Sequence, residues 1–418
     1  MARPRISRPE RRQREWSEAS LDDLVPEDAR VRQIWAAVEQ LDLSGFDEKV
    51  KAFEGCAGRS AIDSRLLLAV WVFATSEGMG SARRLEQLCE RDVMYRWLCG
   101  GVSVNHHTLS DFRTNGRDFD ELLTQLVGSL LHAGVITLTG VAQDGMKVRA
   151  SAGASSFKKK ETLEEALTTA AREVAALRKQ LNVNAVKGQE KQAAAKLRNA
   201  EGRQAKIVEA LANIAQIQTE RDAARDNGKK LKPPRASTTD PEVRVMKRGD
   251  GGFRPSVNVQ FATDVDSGVI VGVSVSNDQT DTRQLEETIN DMLVRTEGQM
   301  PQKYLFDGGY TSKENITAVT NAGCEVYGPV KKAKNETIDK FAPRPGDTPE
   351  VIAWRERMRT DEAREIYKDR ASTAERVNAD MKAKHGMTQF LLRGFPKISS
   401  SVLLSVLAFN ILRSISLA

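Results

Sequence analysis

The sequence predicts a mixed α/β chain in which an all-helical N-terminal domain precedes a sheet with crossover helices. Three observations support this division. Apolar residues recur at helical spacing from Leu21 to about His132, and a β-branched run begins at Val135. A third segment, residues 157–235, is rich in Ala, Lys, Glu and Arg and interrupts the strands. The fold is therefore expected to contain a helical insertion.

The composition is that of a soluble, weakly basic chain. Its 418 residues include 63 Lys and Arg against 57 Asp and Glu, which gives a net charge of +6 and a pI near 9.0. This balance permits nucleic acid as a partner. The most apolar stretches are shorter than the roughly 20 residues that span a bilayer, so we expect a cytoplasmic protein without membrane contact. The four cysteines share no C-x-x-C spacing, and no zinc-finger pattern can be assembled.

Four segments are expected from the changes of pattern. Residues 1–20 form a basic, disordered arm whose arginines precede no apolar run, unlike a secretory signal. Residues 21–133 form a helical domain that can bind DNA, although arginines on a solvated helix face would give the same pattern. Residues 134–418 form the sheet-containing domain, which the insertion at 157–235 interrupts.

The insertion carries a heptad pattern that predicts two helices in an antiparallel hairpin. Three roles remain open: its lysines can bind DNA, its seam can hold a second subunit, or the two helices can pack against each other. The first helix is predicted from the apolar or small residues Leu163, Leu167, Ala170, Val174, Leu177 and Leu181.

The sheet-containing domain is predicted to have the order βββαβαβα outside the insertion. Its first strand, Val135–Ala142, is expected to end just before Asp144. The other strands are predicted at 256–263, 269–275, 303–306 and 324–330, and the helices at 281–296 and 312–321.

Three acidic residues stand out by their positions. Asp144 and Asp307 each follow a predicted strand and precede glycine, which lets the backbone leave the strand sharply. A single aspartate at such a position is more often a turn residue, but two in one basic domain favour a site. Glu375 lies in a helical segment, two turns before Lys382 on the same face. A salt-bridged amphipathic helix would give the same pattern.

These acids and their neighbours resemble the DDE transposases of bacterial insertion sequences. The segment Asp144-Gly-Met-Lys resembles the first aspartate motif of this family, and Asp307-Gly-Gly-Tyr the second. The N-terminal part resembles the InsH-type transposase domain. The tyrosine, arginine, glutamate and lysine signature of the family is matched by Tyr367, Arg370, Glu375 and Lys382.

The resemblance implies an RNase H-like catalytic domain in which Asp144, Asp307 and Glu375 hold two Mg²⁺ ions, with Mn²⁺ able to substitute. It also implies a DNA transposase that cleaves at the ends of its mobile element and transfers the 3′-hydroxyl ends to target DNA. The implied partners are double-stranded DNA, as terminal inverted repeats and target, and a second copy of the chain in a synaptic complex. Its place would be the bacterial cytoplasm, at the nucleoid. The residues expected to contact DNA are Lys147, Tyr367, Arg370 and Lys382.

One spacing departs from the family signature. Four residues separate Arg370 from Glu375, where the signature has three. In an α-helix one extra residue rotates a side chain by about 100°, which puts the role of Arg370 in question. Glu365, Asp369 and Asp380 are competing acids nearby.

Three other functions remain possible. The chain can be a catalytically degenerate relative that binds DNA without cutting, an RNase H-like structure-specific nuclease, or a mainly structural coiled-coil protein. A degenerate relative would show no metal-dependent cleavage, unlike an active transposase. A structure-specific nuclease would cleave without depending on particular DNA ends. Failure to bind any duplex at low salt would favour the third.

Overall fold

The structure is a computed structural model that describes residues 18–50, 60–183, 190–223, 232–249, 251–332 and 339–417. Residues 1–17 of the expected basic arm lie outside the described residues. So do residues 184–189, where the turn of the helical hairpin was expected.

The N-terminal domain is helical, as the apolar spacing predicts. Its helices bury one apolar core around Trp71, whose indole N–H donates to the carbonyl of Leu109 at 3.0 Å. α3 is buried along almost its whole length, because apolar residues occupy every face of it. The helices are α1 Arg30–Glu39, α2 Ser44–Asp47, α3 Ser64–Ser76, α4 Ala82–Arg91, α5 Val93–Cys99, α6 His106–Phe112 and α7 Gly116–His132.

The sheet-containing domain is built on a sheet with the strand order β6-β5-β1-β7-β8, and β4 also pairs with β5. β1 is antiparallel to β5 and parallel to β7, which is parallel to β8. This mixed α/β arrangement confirms the RNase H-like fold that the resemblance implied. The strands are β1 Gly140–Arg149, β2 Phe157–Lys158, β3 Ala236–Ser237, β4 Arg244–Lys247, β5 Phe253–Asp264, β6 Ile270–Ser276, β7 Lys303–Phe306 and β8 Glu325–Tyr327.

The predicted position of the first strand is wrong. Asp144 lies in the middle of β1 rather than at the end of a strand. Leu138 has a φ of 52°, in the left-handed region, so the β-branched run from Val135 cannot continue as one extended strand. Gly145 does not form a turn but lets the backbone of β1 approach the side chain of Gln260 on β5. A Cβ there would lie 2.2 Å from the amide nitrogen of Gln260.

The insertion forms two packed helices, α8 Lys160–Val183 and α9 Glu190–Ala223. The short strands β2 and β3 pair at its base and bring its ends together. The two helices bury a seam against each other, as one of the three open roles supposed. Its buried residues are Leu163, Ala170, Val174, Ile207, Ala210 and Ile214.

The remaining helices flank the sheet. A π-helical turn, Ala371–Glu375, joins α13 to α14. Val377 and Met381 of α14 are buried in the core of the sheet. The helices are α10 Gln284–Arg295, α11 Lys313–Asn321, α12 Pro349–Arg357, α13 Asp361–Arg370, α14 Arg376–Ala383 and α15 Phe395–Leu417.

α15 connects the two domains. Leu404 and Leu407 belong to the core of the N-terminal helices, whereas Val402 and Val406 belong to the core of the sheet. Among the described residues this is the one helix long and apolar enough to cross a membrane, yet more than half of it is buried in the protein. Its Asn410 exchanges two hydrogen bonds with the backbone of Ile270 on β6, which identifies it as a core helix.

Candidate active site

Asp144 on β1 and Asp307, directly after the neighbouring strand β7, lie side by side. Gln143 on β1 is in register with Phe306 on β7, so each aspartate is the next residue along a parallel pair. Neighbouring strands are about 4.8 Å apart, which brings the two residues close together at one point of the sheet. Strand pairing therefore juxtaposes two acids that are far apart in the sequence.

The turn after β7 holds the Asp307 carboxylate. Its Oδ1 accepts the backbone N–H of Gly309 at 2.7 Å, and its backbone carbonyl accepts the N–H of Tyr310 at 3.1 Å. A Cβ on Gly309 would lie 2.8 Å from Oδ1 of Asp307. Here the glycine does allow a tight turn beside an acid, as the sequence predicts.

Glu375 reaches the site through the π-helical turn. In this turn each N–H bonds to the carbonyl five residues earlier, so positions i and i+5 take the place that i and i+4 have in an α-helix. Arg370 and Glu375 are five residues apart, and Nη1 of the arginine donates to Oε1 of the glutamate at 2.7 Å. The extra residue relative to the family signature therefore does not rotate Arg370 away from Glu375.

Arg370 also reaches Asp144. Its Nη2 lies 3.4 Å from Oδ2 of Asp144, and its side chain is 11% exposed. The guanidinium therefore lies between an acid of β1 and an acid of the helix. Glu375 itself is 55% exposed and faces solvent on its other side.

The environment of Asp144 opposes its negative charge. Burial raises its pKa to about 6, and the neighbouring charges of Asp307 and Asp281 act in the same direction. Arg370 and the backbone N–H of Gly145 lower the pKa, without fully compensating for burial. Several acids have thus been brought close enough for mutual repulsion, which is the electrostatic condition that a bound cation relieves.

Sequence reasoning missed Asp281, which follows β6. Its Oδ1 accepts the side-chain amides of Asn258 at 2.8 Å and of Gln260 at 3.1 Å. Both amides are buried on β5, and Gln260 also accepts a hydrogen bond from the hydroxyl of Tyr310. This network links the turn after β7 and the segment after β6 to β5. The alternation of polar residues at 256, 258 and 260 within a strand was the signal that could have revealed it.

The residues expected to contact DNA lie at different distances from these acids. Tyr367 is half-buried, and burial raises its pKa. This pKa is also affected by the charges of Arg370, Asp307, Asp144 and Glu375. The structure therefore brings Tyr367 to the acids.

The two lysines are placed less directly. Nζ of Lys147 lies 3.9 Å from Oδ2 of Asp281. Lys382 is exposed on α14, two turns beyond Glu375, and makes no ion pair with a described residue. Only Lys147 is therefore next to the acidic cluster.

The competing acids do not contact Arg370 as Glu375 does. Glu365 pairs with Lys368 at 2.7 Å, and Asp380 pairs with Lys384 at 2.8 Å, each on its own helix. Asp369 is exposed and has no ion-pair partner among the described residues. Glu375 is the acid of this segment that shares Arg370 with Asp144.

The donor set suits Mg²⁺ in its chemistry. Asp144, Asp307 and Glu375 offer carboxylate oxygens, the ligands this ion prefers, and the mutual repulsion at Asp144 favours a cation. Within the described residues, however, no group of three or more Asp, Glu, His or Cys side chains is close enough to hold a metal ion. Arg370 lies between two of the acids. Mg²⁺ is usually bound by one or two carboxylates together with water and substrate phosphates, and these acids offer the oxygen ligands for a site of that kind.

Comparison with protein families places this geometry in context. Residues 19–115 match the model described as "Transposase domain (DUF772)", and residues 234–411 match the model described as "Transposase DDE domain". Together the two matches span about two thirds of the chain. The chain belongs to the DDE transposases of insertion sequences. Searches among curated proteins and among solved structures found no match.

This transposase is thus a DNA-processing enzyme of a family that binds DNA and generally uses divalent metals. The match to the DDE domain includes Asp307 and Glu375, whereas Asp144 lies before its first residue. The strand register with β7 and the contact with Arg370 are therefore the observations that associate Asp144 with the other two acids.

Proposed function

We propose that this transposase cleaves DNA at the ends of its mobile element and joins the resulting 3′-hydroxyl ends to target DNA, using Asp144, Asp307 and Glu375 to hold two divalent metal ions. One observation carries the proposal. Arg370 is hydrogen-bonded to Glu375 at 2.7 Å and lies 3.4 Å from Asp144, which is next to Asp307 in the strand register. Two of the acids thus share one cationic group, and the third is next to one of them in the strand register.

The two-metal assignment follows from the chemistry of phosphodiesters. When bound, the ions supply an activated attacking oxygen and stabilise the leaving oxygen of an in-line displacement. Asp144 lies on β1, and Asp307 follows β7 directly in a turn whose backbone holds its carboxylate, so the two carboxylates keep a fixed separation. Glu375 lies on a helix beside an exposed surface, where it can adjust when DNA enters.

The cationic residues position the substrate in this proposal. Arg370 balances the carboxylates before DNA binds, and its planar guanidinium can transfer to a phosphate of the DNA end. Lys147 can likewise exchange Asp281 for a phosphate oxygen. Tyr367 can stack on a terminal base or donate to the backbone, and Lys382 can contact phosphates farther along the duplex.

We further propose that two copies of the chain act together, because an element has two ends that must be joined in one reaction. Each copy would supply one set of the three acids. The enzyme would act in the cytoplasm, where it meets the nucleoid.

The test is cleavage of a labelled linear duplex that carries the DNA flanking this gene, with Mg²⁺ or Mn²⁺. Wild type is compared with Asp144→Asn, Asp307→Asn and Glu375→Gln, and with Asp369→Asn as a matched exposed control. We expect cuts at the element boundary that disappear in the first three variants and persist in the control.

Three outcomes would overturn parts of the proposal. Binding without cutting by the wild type would favour the degenerate relative. Equal cutting of branched DNA with unrelated ends would favour the structure-specific nuclease. Cutting that survives Glu375→Gln would assign the third acid to Glu365, Asp369 or Asp380.

A further inference from the structure

A cavity of about 220 Å³ lies at the junction of the two domains, away from the three acids. We call it the junction cavity. It is lined by residues of four regions: the end of α3 with the loop that follows it, Arg113 directly after α6, the segment 385–392 after α14, and one face of α15. Leu391 at its edge is 60% exposed, so the junction cavity opens to solvent.

Arg113 is a buried cation in the wall of the junction cavity. Its side chain is only 7% exposed, and no carboxylate among the described residues is within ion-pair distance of it. It donates from Nη1 to the carbonyl of Gly80 and lies over the ring of Trp71, 4.9 Å from the centroid. Its Nε has no hydrogen-bond partner. A buried guanidinium is normally paired with an anion, because removal of its hydration costs several kcal/mol.

His385 supplies a second unsatisfied group. It is 9% exposed, and its Nδ1 has no hydrogen-bond partner among the described residues. Its ring meets the ring of Phe409 edge-on at 5.5 Å, which fixes the plane of the imidazole. Arg113 comes from the N-terminal domain and His385 from the segment after α14, so the two open polar atoms belong to different parts of the lining.

The other lining residues favour a negative ligand. None of the described residues that line the junction cavity is Asp or Glu. Hydroxyl groups are contributed by Thr75, Thr388 and Ser405. One cation, one imidazole and several hydroxyls without an opposing carboxylate make up a lining suited to an oxyanion.

We propose that the junction cavity binds a phosphate group, held by Arg113 and His385. Guanidinium matches phosphate because its planar set of N–H donors can bond two oxygens at once. The phosphate can belong to the DNA backbone or be a free ion from solution. In either case the ligand touches both domains and fixes the N-terminal helices relative to the segment that follows α14.

The first experiment uses the full-length protein and inorganic phosphate. Isothermal titration calorimetry at constant ionic strength compares wild type with Arg113→Gln, His385→Gln and the control Arg117→Gln, an exposed arginine on α7. For a free-ion site, we expect binding to wild type and the control, and affinity at least tenfold weaker in the first two variants. Direct heats are needed because phosphate stabilises folded proteins without binding at a site.

The second experiment tests whether the bound phosphate belongs to the DNA backbone. The affinity of the same variants for a duplex carrying the element end is measured over a range of salt concentrations. For a backbone phosphate, Arg113→Gln weakens binding and lowers the salt slope by about one, as loss of one phosphate contact does. Arg113→Lys, which keeps the charge, should restore part of both effects.

The proposal fails if phosphate gives no heat with wild type and the duplex affinity and salt slope are the same in all variants. If Arg113→Gln does not fold, Arg113→Lys and His385→Gln carry both measurements. The site is independent of the three acids, so cleavage chemistry can be correct while this site is wrong.

Discussion

Arg370 and Glu375 form a 2.7 Å hydrogen-bonded ion pair across five residues of chain because the helix between them is a π-helical turn. In an α-helical segment with the same sequence, five residues at about 100° each would direct the two side chains about 140° apart. The turn therefore absorbs one residue and leaves both flanking helices in place.

Deletion of Ser372 tests this interpretation. It is exposed within the turn, and its removal should convert the segment into an α-helix in which Arg370 and Glu375 are four residues apart and still face each other. We expect element-end cleavage within a few-fold of wild type. Deletion of the exposed Ala379 is the control, because it rotates Met381 out of the core and should abolish activity. Loss of cleavage in the Ser372 deletion, with the fold intact, would show that the π-helical turn itself is required.

Asp144→Asn should stabilise the protein while it abolishes cleavage. The folded carboxyl has a pKa of about 6 against an ordinary value of 3.8, so its ionised form is disfavoured by folding. This difference corresponds to about 3 kcal/mol of lost stability once the pH exceeds 6. Between pH 3.8 and 6 the unfolded chain ionises first, so the wild type loses stability as the pH rises.

The measurement is urea unfolding of both proteins without metal at pH 7.5 and at pH 4.5. Asp144→Asn should be more stable at pH 7.5, by no more than about 3 kcal/mol, and this advantage should shrink at pH 4.5. Asp369→Asn, at an exposed position, should match wild type at both values. An advantage for Asp144→Asn that does not change with pH would contradict this account.

Asp281→Ala should destabilise the protein by roughly 1–3 kcal/mol, because the buried amides of Asn258 and Gln260 lose their shared acceptor. Asp281→Asn keeps an oxygen in that place and should lose less stability. Urea unfolding of the two variants gives the comparison. Equal losses would mean that the charge beside Lys147, rather than the hydrogen bonds, is what matters.

Gly386→Ala should be more destabilising than Gly394→Ala. Both glycines have positive φ, so each alanine carries backbone strain of roughly 1 kcal/mol or more. At Gly386 the added Cβ would also lie 2.7 Å from the carbonyl oxygen of Gly78, whereas nothing lies within 4 Å at Gly394. The difference in unfolding free energy between the variants measures the closeness of the two domains at this point. Equal losses would mean that the backbones separate easily.

The sequence predicts much of the fold because its elements have strong local signals. Periodic apolar residues located helices in both domains, although α12 was not predicted, and β-branched runs located β5, β6 and β7. β2, β3 and β4 were missed because strands of two to four residues carry too few side chains for a pattern. The start of β1 was misplaced because leucine as a residue type does not indicate the left-handed backbone conformation that Leu138 adopts.

The residues of the candidate site could be predicted only where they belong to a recognisable short sequence motif. Asp144, Asp307 and Glu375 stand in recognisable short segments, and their assignment as catalytic residues remains a prediction. Asp281 and its contact with Gln260 depend on the pairing of distant strands, which no local pattern encodes. The sequence shows one extra residue between Arg370 and Glu375 but not the π-helical hydrogen bonds that accommodate it. The effect of this spacing could therefore be seen only in the structure.

The position of α15 affects how this protein is made. Its Leu404 and Leu407 complete the core of helices that are synthesised roughly 270 residues earlier. During translation the N-terminal helices must therefore wait, with part of their apolar surface exposed, until the ribosome has passed residue 407. Chaperones can act on the nascent chain in this interval. A ribosome that stalls before α15 releases a product that lacks a packed N-terminal domain as well as a finished catalytic one.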